Sequence, residues 1–380
     1  MTVTLEREAA AAPRPRRQTY ELIDCDVHQT IKDYRTFHQY MPQAWRKYVS
    51  ARGFGGPSSG YLTSVGLYRK DVMPPGGGEP GTDPEWIRTQ LMEQYNVKYA
   101  LLNGGGILGL CALPDADFAT VLASAYNDVM AESWLGEQNP GGRFKGSMMV
   151  APQDPELAAK EIDRVGAFRA DGKSGYEHFV QVMFASATTA PLGAKQYWPI
   201  YAAAERNGFP VAVHPGVEGR SIAGAPTAAG WVSKYIEWHT CLPQQAMSHA
   251  VSLVCQGVFV KFPKLKFVFT ESGIGWFPHV MWRLDRNYKS LREEVPWLTR
   301  LPSEYMREHM RMTTQPIEEP PTDGQFLSLL EAMDAKQTLL FSSDYPHWDF
   351  DNPVEAFRAV PDDLKRRIFY ENAAELYGLS

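Results

Sequence analysis

The sequence predicts a single α/β domain, a TIM-type (β/α)8 barrel carrying inserted lid loops. Three observations lead there. Eight short apolar runs punctuate the chain, stretches with helical spacing separate most of them, and four of the runs finish on histidine or acidic side chains. Strands alternating with helices build a parallel sheet. Eight is the strand number that closes a barrel.

Composition is that of an ordinary globular chain: 380 residues, 44% hydrophobic and 22% charged. That length allows two domains or one large barrel with insertions. The net charge of -6 gives no reason to expect nucleic acid or an anionic membrane as partner. No apolar run reaches the roughly 18 residues a membrane helix needs. Residues 1–18, "MTVTLEREAAAAPRPRRQ", lack the apolar centre of a secretory signal, and Glu6 and Glu8 argue against a transit peptide. They read as a flexible tail before one domain at 19–380. Cys25, Cys111, Cys241 and Cys255 form no CxxC pair. They are expected as small buried hydrophobes in a reduced, cytoplasmic protein.

The runs are "YELIDCD" (20–26), "VKYALLNG" (97–104), "FKGSMMVA" (144–151), "HFVQVMFA" (178–185), "FPVAVH" (209–214), "LKFVFTE" (265–271), "HMRMTTQ" (309–315) and "QTLLFSSD" (337–344). The third and the seventh, with Arg311 between methionines, are the least strand-like. Among the helices, "TDPEWIRTQLMEQYNV" offers Asp83 as cap, Pro84 at the first position and Glu85 at the positive end. Ile87, Leu91 and Tyr95 make its apolar stripe. "PELAAKEIDRVGAF" and "AKQYWPIYAAAERNG" read similarly, the second closing on Gly208. "QQAMSHAVSLVCQGVFVKFP" is a mostly apolar helix, and "VEAFRAV" and "DLKRRIFYENAAELYGL" finish the chain. Two long insertions, near 51–82 and 215–235, follow the first and fifth strands. Both leave from strand C-terminal ends, the active face of such barrels, and are expected as lids.

The polar residues fall at those same ends. The first strand ends Asp26-Val27-His28, the fifth on His214, the sixth on Glu271 and the eighth near Asp344. Side chains alternate along a strand. Asp24, Asp26 and His28 therefore share one face, and Cys25 and Val27 the other. With that face turned to the barrel axis, Asp26, His28, His214, Glu271 and Asp344 converge at one mouth. Two imidazoles and three carboxylates suit Zn²⁺, Fe²⁺ or Mn²⁺, and a cation removes the cost of crowding buried carboxylates. Taken singly, His214 reads as a packed core histidine, Glu271 as a helix cap and Asp344 as a turn anchor. It is the set that points to metal. His347, three residues past Asp344, reads as a ligand or as a group just behind the ligands. His239 reads as structural or as a ligand of a second ion. His249 is expected packed and hydrogen-bonded, and His178 at the opposite end of the barrel.

These pieces resemble a family. "DCDVH", "VAVHPG", "CQGVFVKFPKLKFVFTESGIGWFPHVMWRLDR", "FSSDYPHWD" and "ENAAELYG" are similar, in order and over most of the chain, to the amidohydrolase superfamily. The branch is the amidohydrolase-related one that includes aminocarboxymuconate-semialdehyde decarboxylase and aromatic-acid decarboxylases. The resemblance implies a distorted (β/α)8 barrel with a divalent metal. It places Asp26 and His28 at the first-strand ligand positions, His214 at the fifth-strand ligand, and Asp344 at the eighth-strand aspartate that also handles protons. The chain departs from the pattern at strand six, where Glu271 stands in "TESG" in place of a histidine.

The expected function is metal-dependent hydrolysis or non-oxidative decarboxylation of a small organic acid or amide, with Asp344, Glu271 and His347 as catalytic groups. A bound metal lowers the pKa of its water to about 7, and Asp344 is placed to move the proton. The alternative is an O2-dependent hydroxylase with a dinuclear Fe or Mn/Fe centre, like 2-aminoisobutyric acid hydroxylase, using Glu271, His239 and His347 as extra ligands. A non-catalytic partner subunit is the third reading, and the full ligand set argues against it. One metal per chain, or two, follows accordingly. The substrate is expected to be anionic or carbonyl-bearing, and Arg220 reads as a solvated surface residue or, alternatively, as a candidate counter-ion. A homo-oligomer, or a hetero-oligomer, is expected, with Trp276, Trp282 and Trp297 reading equally as a candidate face or as core.

Overall fold

The structure is a computed structural model that describes residues 20–53, 56–57, 60–62 and 67–380. The tail expected at 1–18, and residues 54–55, 58–59 and 63–66 of the first insertion, lie outside the described residues.

All eight apolar runs form strands: β1 (Leu22–Val27), β2 (Val97–Leu102), β3 (Phe144–Met149), β4 (Phe179–Ala185), β5 (Val211–His214), β6 (Phe267–Phe269), β7 (Met310–Thr313) and β8 (Leu339–Leu340). They pair in parallel in the order β1-β2-β3-β4-β5-β6-β7-β8. β8 is short because the chain beyond it runs along β1 through single bonds. Cys25 N donates to Phe341 O at 2.9 Å, Asp344 N to Asp26 O at 3.1 Å, and His28 N to Tyr345 O at 2.8 Å. These bonds close the barrel and set the ends of β1 and β8 side by side.

Asp24 locks that seam. Its carboxylate accepts from Ser343 N at 2.9 Å, Ser343 Oγ at 2.5 Å and Asp26 N at 3.2 Å. With those three bonds Asp24 joins strand to strand, one step below the mouth, and is no ligand candidate. Arg311 is tolerated in β7 because its Nη1 donates to the carbonyls of Arg307, Glu308 and Met310.

Helices follow where the sequence signals them. Asp83 caps by accepting from Glu85 N and Trp86 N. The helix Pro155–Ala170 starts on an Asp154 cap, and Trp198–Asn207 ends at Gly208 with φ 68°. "VEAFRAV" differs: it forms successive turns rather than a helix. No described helix is long and apolar enough to cross a membrane. His249 is buried in the helix Pro243–Cys255, donating from Nε2 to Ser186 O at 2.7 Å.

The two insertions are stitched over the mouth. Gly60 N donates to Gly216 O at 2.5 Å and Tyr61 Oη to Val232 O at 3.0 Å. Arg220 donates to Gly60 O at 2.8 Å, so it ties the two loops together rather than facing the cavity. Further along, Trp348 N donates to Leu67 O at 3.0 Å and Arg69 N to Pro346 O at 3.2 Å, which docks the first insertion on the segment after β8.

The first insertion returns at Gly81, whose backbone packs directly on that of His28. A Cβ there would meet His28 O at 2.4 Å, and φ is +76°. Gly53 has a similar φ of +62° but nothing within 4 Å of its Cβ position. Gly81→Ala is therefore expected to destabilise by more than about 1 kcal/mol, and Gly53→Ala by less. Urea denaturation of both variants checks this, and equal losses would contradict the packing argument.

Candidate metal centre

Strand ends deliver the donor atoms. His214 ends β5, Asp26 is the penultimate residue of β1, His28 directly follows β1, and Glu271 and Asp344 come after β6 and β8. The last two adopt left-handed backbone, φ 49° at Glu271 and 59° at Asp344. Such conformations cost on the order of 1–3 kcal/mol away from glycine. They turn each carboxylate back over the mouth. Glu271 is held by its N–H donating to Thr313 Oγ1 at 3.0 Å, and Asp344 by the bond to Asp26 O already described.

The donors converge. Nε2 of His214 lies 3.4 Å from Asp26 Oδ2 and 3.0 Å from Glu271 Oε2. Nε2 of His28 lies 3.5 Å from Asp26 Oδ1 and 2.8 Å from Asp344 Oδ1. Ligands about 2.1 Å from one ion stand roughly 3.0–3.4 Å apart, so this spacing is that of a coordination sphere. Two groups fit one ion by distance: Asp26, His28, His214 and Glu271, and His28, Asp344 and His347.

The imidazoles are aimed. Nδ1 of His28 hydrogen-bonds to Gly104 O, and Nδ1 of His214 to Pro215 O at 2.6 Å. Donation from Nδ1 leaves the Nε2 lone pair facing the cluster, the arrangement seen in metal-bound histidines. Asp26 Oδ2, His28 Nε2, His214 Nε2 and Asp344 Oδ2 are buried with no aligned hydrogen-bond partner. Buried polar atoms left so are costly. A divalent cation held by Asp26, His28, His214 and Glu271 satisfies the first three, and Asp344 reaches the same His28 nitrogen, so the residues fit one.

The charges are strongly coupled. Burial alone would lower the His28 imidazole, but Asp26 and Asp344 outweigh it and raise it to about 9. His214 is pushed up in the same way by Asp26 and Glu271. Burial and the nearby Asp344 charge raise Glu271. Asp344 goes the other way: burial opposes ionisation, yet His347 and His28 hold it well below the usual carboxylate range. His347 Nδ1 lies 2.8 Å from Asp344 Oδ1.

His239 stands further out, in neither group that fits one ion. Its Nε2 is 3.9 Å from Glu271 Oε1 and 3.1 Å from Asp349 Oδ2. Asp349 was not singled out from the sequence. Its only signal is a third acidic or histidine position in "DYPHWD". Glu318 was also missed. It accepts from Ile274 N and Gly275 N, the capping role the sequence offered to Glu271. Above the donors lies a cavity of about 480 Å³ with Tyr34, Tyr68, Tyr235 and Trp238 in its walls and Lys32 and Glu79 at its lining.

The amidohydrolase family profile matches residues 23–379. The chain belongs to the amidohydrolase family. This amidohydrolase is a metal-dependent enzyme of the hydrolase or carbon–carbon lyase kind. It is 24% identical over 336 residues to gamma-resorcylate decarboxylase of Polaromonas sp. (strain JS666 / ATCC BAA-500), covering 81% of this chain and 95% of that one. It is 26% identical over 315 residues to the gamma-resorcylate decarboxylase of Rhodococcus jostii (strain RHA1), covering 78% and 88%. Its fold matches 5-carboxyvanillate decarboxylase from Novosphingobium aromaticivorans DSM 12444, solved with manganese and 4-hydroxy-3-methoxy-5-nitrobenzoic acid. The TM-score is 0.67 at 21% identity, covering 97% and 100% of the two chains. These relatives are decarboxylases, so the O2-dependent hydroxylase alternative gains no support from them and is set aside.

The linked protons give a prediction. His28 titrates near 6.5 when unfolded and about 9 in the folded, metal-free protein. Its stabilising contribution is full below the unfolded value and is lost as pH rises through the folded one. Metal binding requires neutral imidazoles and so strengthens over the same range. Metal-free protein should therefore melt at lower temperature at pH 9 than at pH 6.5, while the stabilisation by Mn²⁺ grows. Thermal denaturation with and without Mn²⁺ tests it, and a metal-free melting point that rises towards pH 9 would contradict it.

Proposed function

We propose that this amidohydrolase is a non-oxidative decarboxylase of a small aromatic carboxylic acid. The observation that carries the reading is the set of unpartnered donor atoms at the floor of an aromatic-walled cavity. The decarboxylase relatives support it. Asp26, His28, His214, Glu271 and Asp344 would hold one Mn²⁺, Zn²⁺ or Fe²⁺. Such an ion supplies Lewis-acid binding of the substrate's oxygens and offsets the local negative charge.

The chain's own residues do the rest. Tyr34, Tyr68, Tyr235 and Trp238 sandwich the ring and exclude water from it. The hydroxyls of Tyr34 and Tyr68 have no hydrogen-bond partner among the described residues. They are placed to read oxygen substituents on the ring. Lys32 draws the anion to the mouth. His347 delivers a proton to the ring carbon bearing the carboxylate. The carbon–carbon bond then breaks, its electron pair passes to the ring, and CO2 departs. Asp344 holds the His347 imidazole by Nδ1 at 2.8 Å, leaving the other nitrogen to deliver the proton. The sum is an aromatic carboxylate plus a proton giving arene plus CO2.

One observation favours a second cation as well. His239 Nε2 is buried without an aligned hydrogen bond although Asp349 and Glu271 carboxylate oxygens lie within 3.9 Å. In that reading His239, Asp349 and the outer oxygen of Glu271 hold it. Elemental analysis giving two metals per chain supports it, and one metal leaves His239 as the partner of Asp349.

For assembly we propose a homo-oligomer. Its face would centre on Trp282, Leu291 and Trp297, which are exposed, whereas Trp276 is buried. The four free cysteines fit a reducing cytoplasm.

Incubating Mn²⁺-loaded protein with ortho-hydroxybenzoates, and following CO2 and arene by chromatography, tests the reaction. Asp344→Asn and His347→Gln should each lower kcat by about 10²–10⁴-fold with unchanged circular dichroism. No turnover of any hydroxybenzoate, together with hydrolysis of an amide, would overturn decarboxylation in favour of hydrolysis.

A further inference from the structure

The barrel interior holds a row of buried polar side chains that the reaction does not use. Asn103, Ser147 and Gln181, from the end of β2, from β3 and from β4, are each 0% exposed. Barrel interiors are usually filled by branched apolar residues, and burying amides and a hydroxyl is costly unless each is hydrogen-bonded. Here they are bonded in sequence. Tyr377 Oη donates to Gln181 Oε1 at 2.7 Å, and Gln181 Nε2 to Ser147 Oγ at 2.8 Å. Ser147 Oγ donates to Asn103 Oδ1 at 2.5 Å, and Asn103 Nδ2 to Asp26 Oδ1 at 2.8 Å. The other Asn103 hydrogen goes to Cys25 O at 2.9 Å.

Every donor in this row points the same way, towards the Asp26 carboxylate. Hydrogen bonds aligned so polarise one another, and the last one is to an anion, the stronger kind. The row therefore fixes which oxygen of Asp26 is occupied. Oδ1 is taken by Asn103, and Oδ2 is left without a partner, 3.4 Å from His214 Nε2. The row begins at Tyr377, on the closing helix Asn372–Tyr377, and so links the far end of the chain to the mouth.

We propose that Asn103 is the positioning residue of the metal centre. It orients Asp26 for the cation and is held in turn by Ser147, Gln181 and Tyr377. The inference rests on the metal-centre reading above, because it concerns how that centre is aimed.

The test is Mn²⁺ titration of chelator-stripped protein by calorimetry, with the electron paramagnetic resonance spectrum of the bound Mn²⁺ and the melting temperature of each metal-free variant. Removing a group that orients a metal ligand typically costs about 10–100-fold in affinity. Asn103→Ala should weaken the Mn²⁺ Kd by about that factor and change the spectrum of the ion. Ser147→Ala should weaken it less, and Tyr377→Phe least, in the same direction. Tyr377→Phe keeps the test alive if Asn103→Ala does not fold, since it removes one hydroxyl at the end of the row and no ligand. A graded loss in that order supports the proposal. A wild-type Kd and spectrum in folded Asn103→Ala, or in both of the other variants, overturns it. Failure of the wild-type protein to bind Mn²⁺ overturns the metal-centre reading itself, which separates the two failures.

Discussion

Three carboxylates and two imidazoles are buried within a few ångströms of one another, and that crowding is the constraint on which the rest of the structure depends. Without a cation, Asp26, Glu271 and Asp344 are partly neutralised by protons on His28 and His214, and Glu271 is pushed towards its neutral form. A divalent ion replaces those protons and gives the unpartnered Asp26, His28 and His214 atoms a common partner. The site is thus built for a charge that the polypeptide does not itself supply.

The fold concentrates its costs near this point. Left-handed backbone at Glu271 and Asp344 turns their carboxylates inward, and Gly81 allows the first insertion to rest on the His28 backbone. The seam between β1 and the segment after β8 holds Asp26 and Asp344 side by side, with Asp24 as its buried clasp. The two insertions then meet through Gly60, Tyr61 and Arg220 and roof a cavity walled by aromatic rings. Rigid strands aim the donors, and loops shape what reaches them.

Much of this was legible in the sequence, for physical reasons. Period-two alternation in "IDCDVH" put Asp26 and His28 on one face, and that face is the barrel interior. Short apolar runs separated by capped helices gave all eight strands, including the unpromising β7, where Arg311 finds carbonyl partners that no local pattern announces. Asp344 and Glu271 stood out because acidic residues directly after buried strands need an explanation. What the sequence hid was long-range. Asn103, Ser147 and Gln181 look like ordinary polar residues in or after a strand until the barrel closes and sets them in a row. Asp349 emerges only when the loop after β8 folds back towards His239. Arg220 read as a solvated surface residue or a candidate counter-ion, but the meeting of two insertions gave it a carbonyl instead. "VEAFRAV" has helical spacing, yet it forms turns.

The central claim is that one divalent cation sits among Asp26, His28, His214, Glu271 and Asp344. Anomalous diffraction at the manganese edge, from crystals of the protein grown with Mn²⁺, tests it most directly. The account predicts a peak about 2.0–2.2 Å from Nε2 of both His28 and His214. A peak confined to surface carboxylates, with the Nε2 atoms of His28 and His214 bonded to protein groups instead, would contradict it.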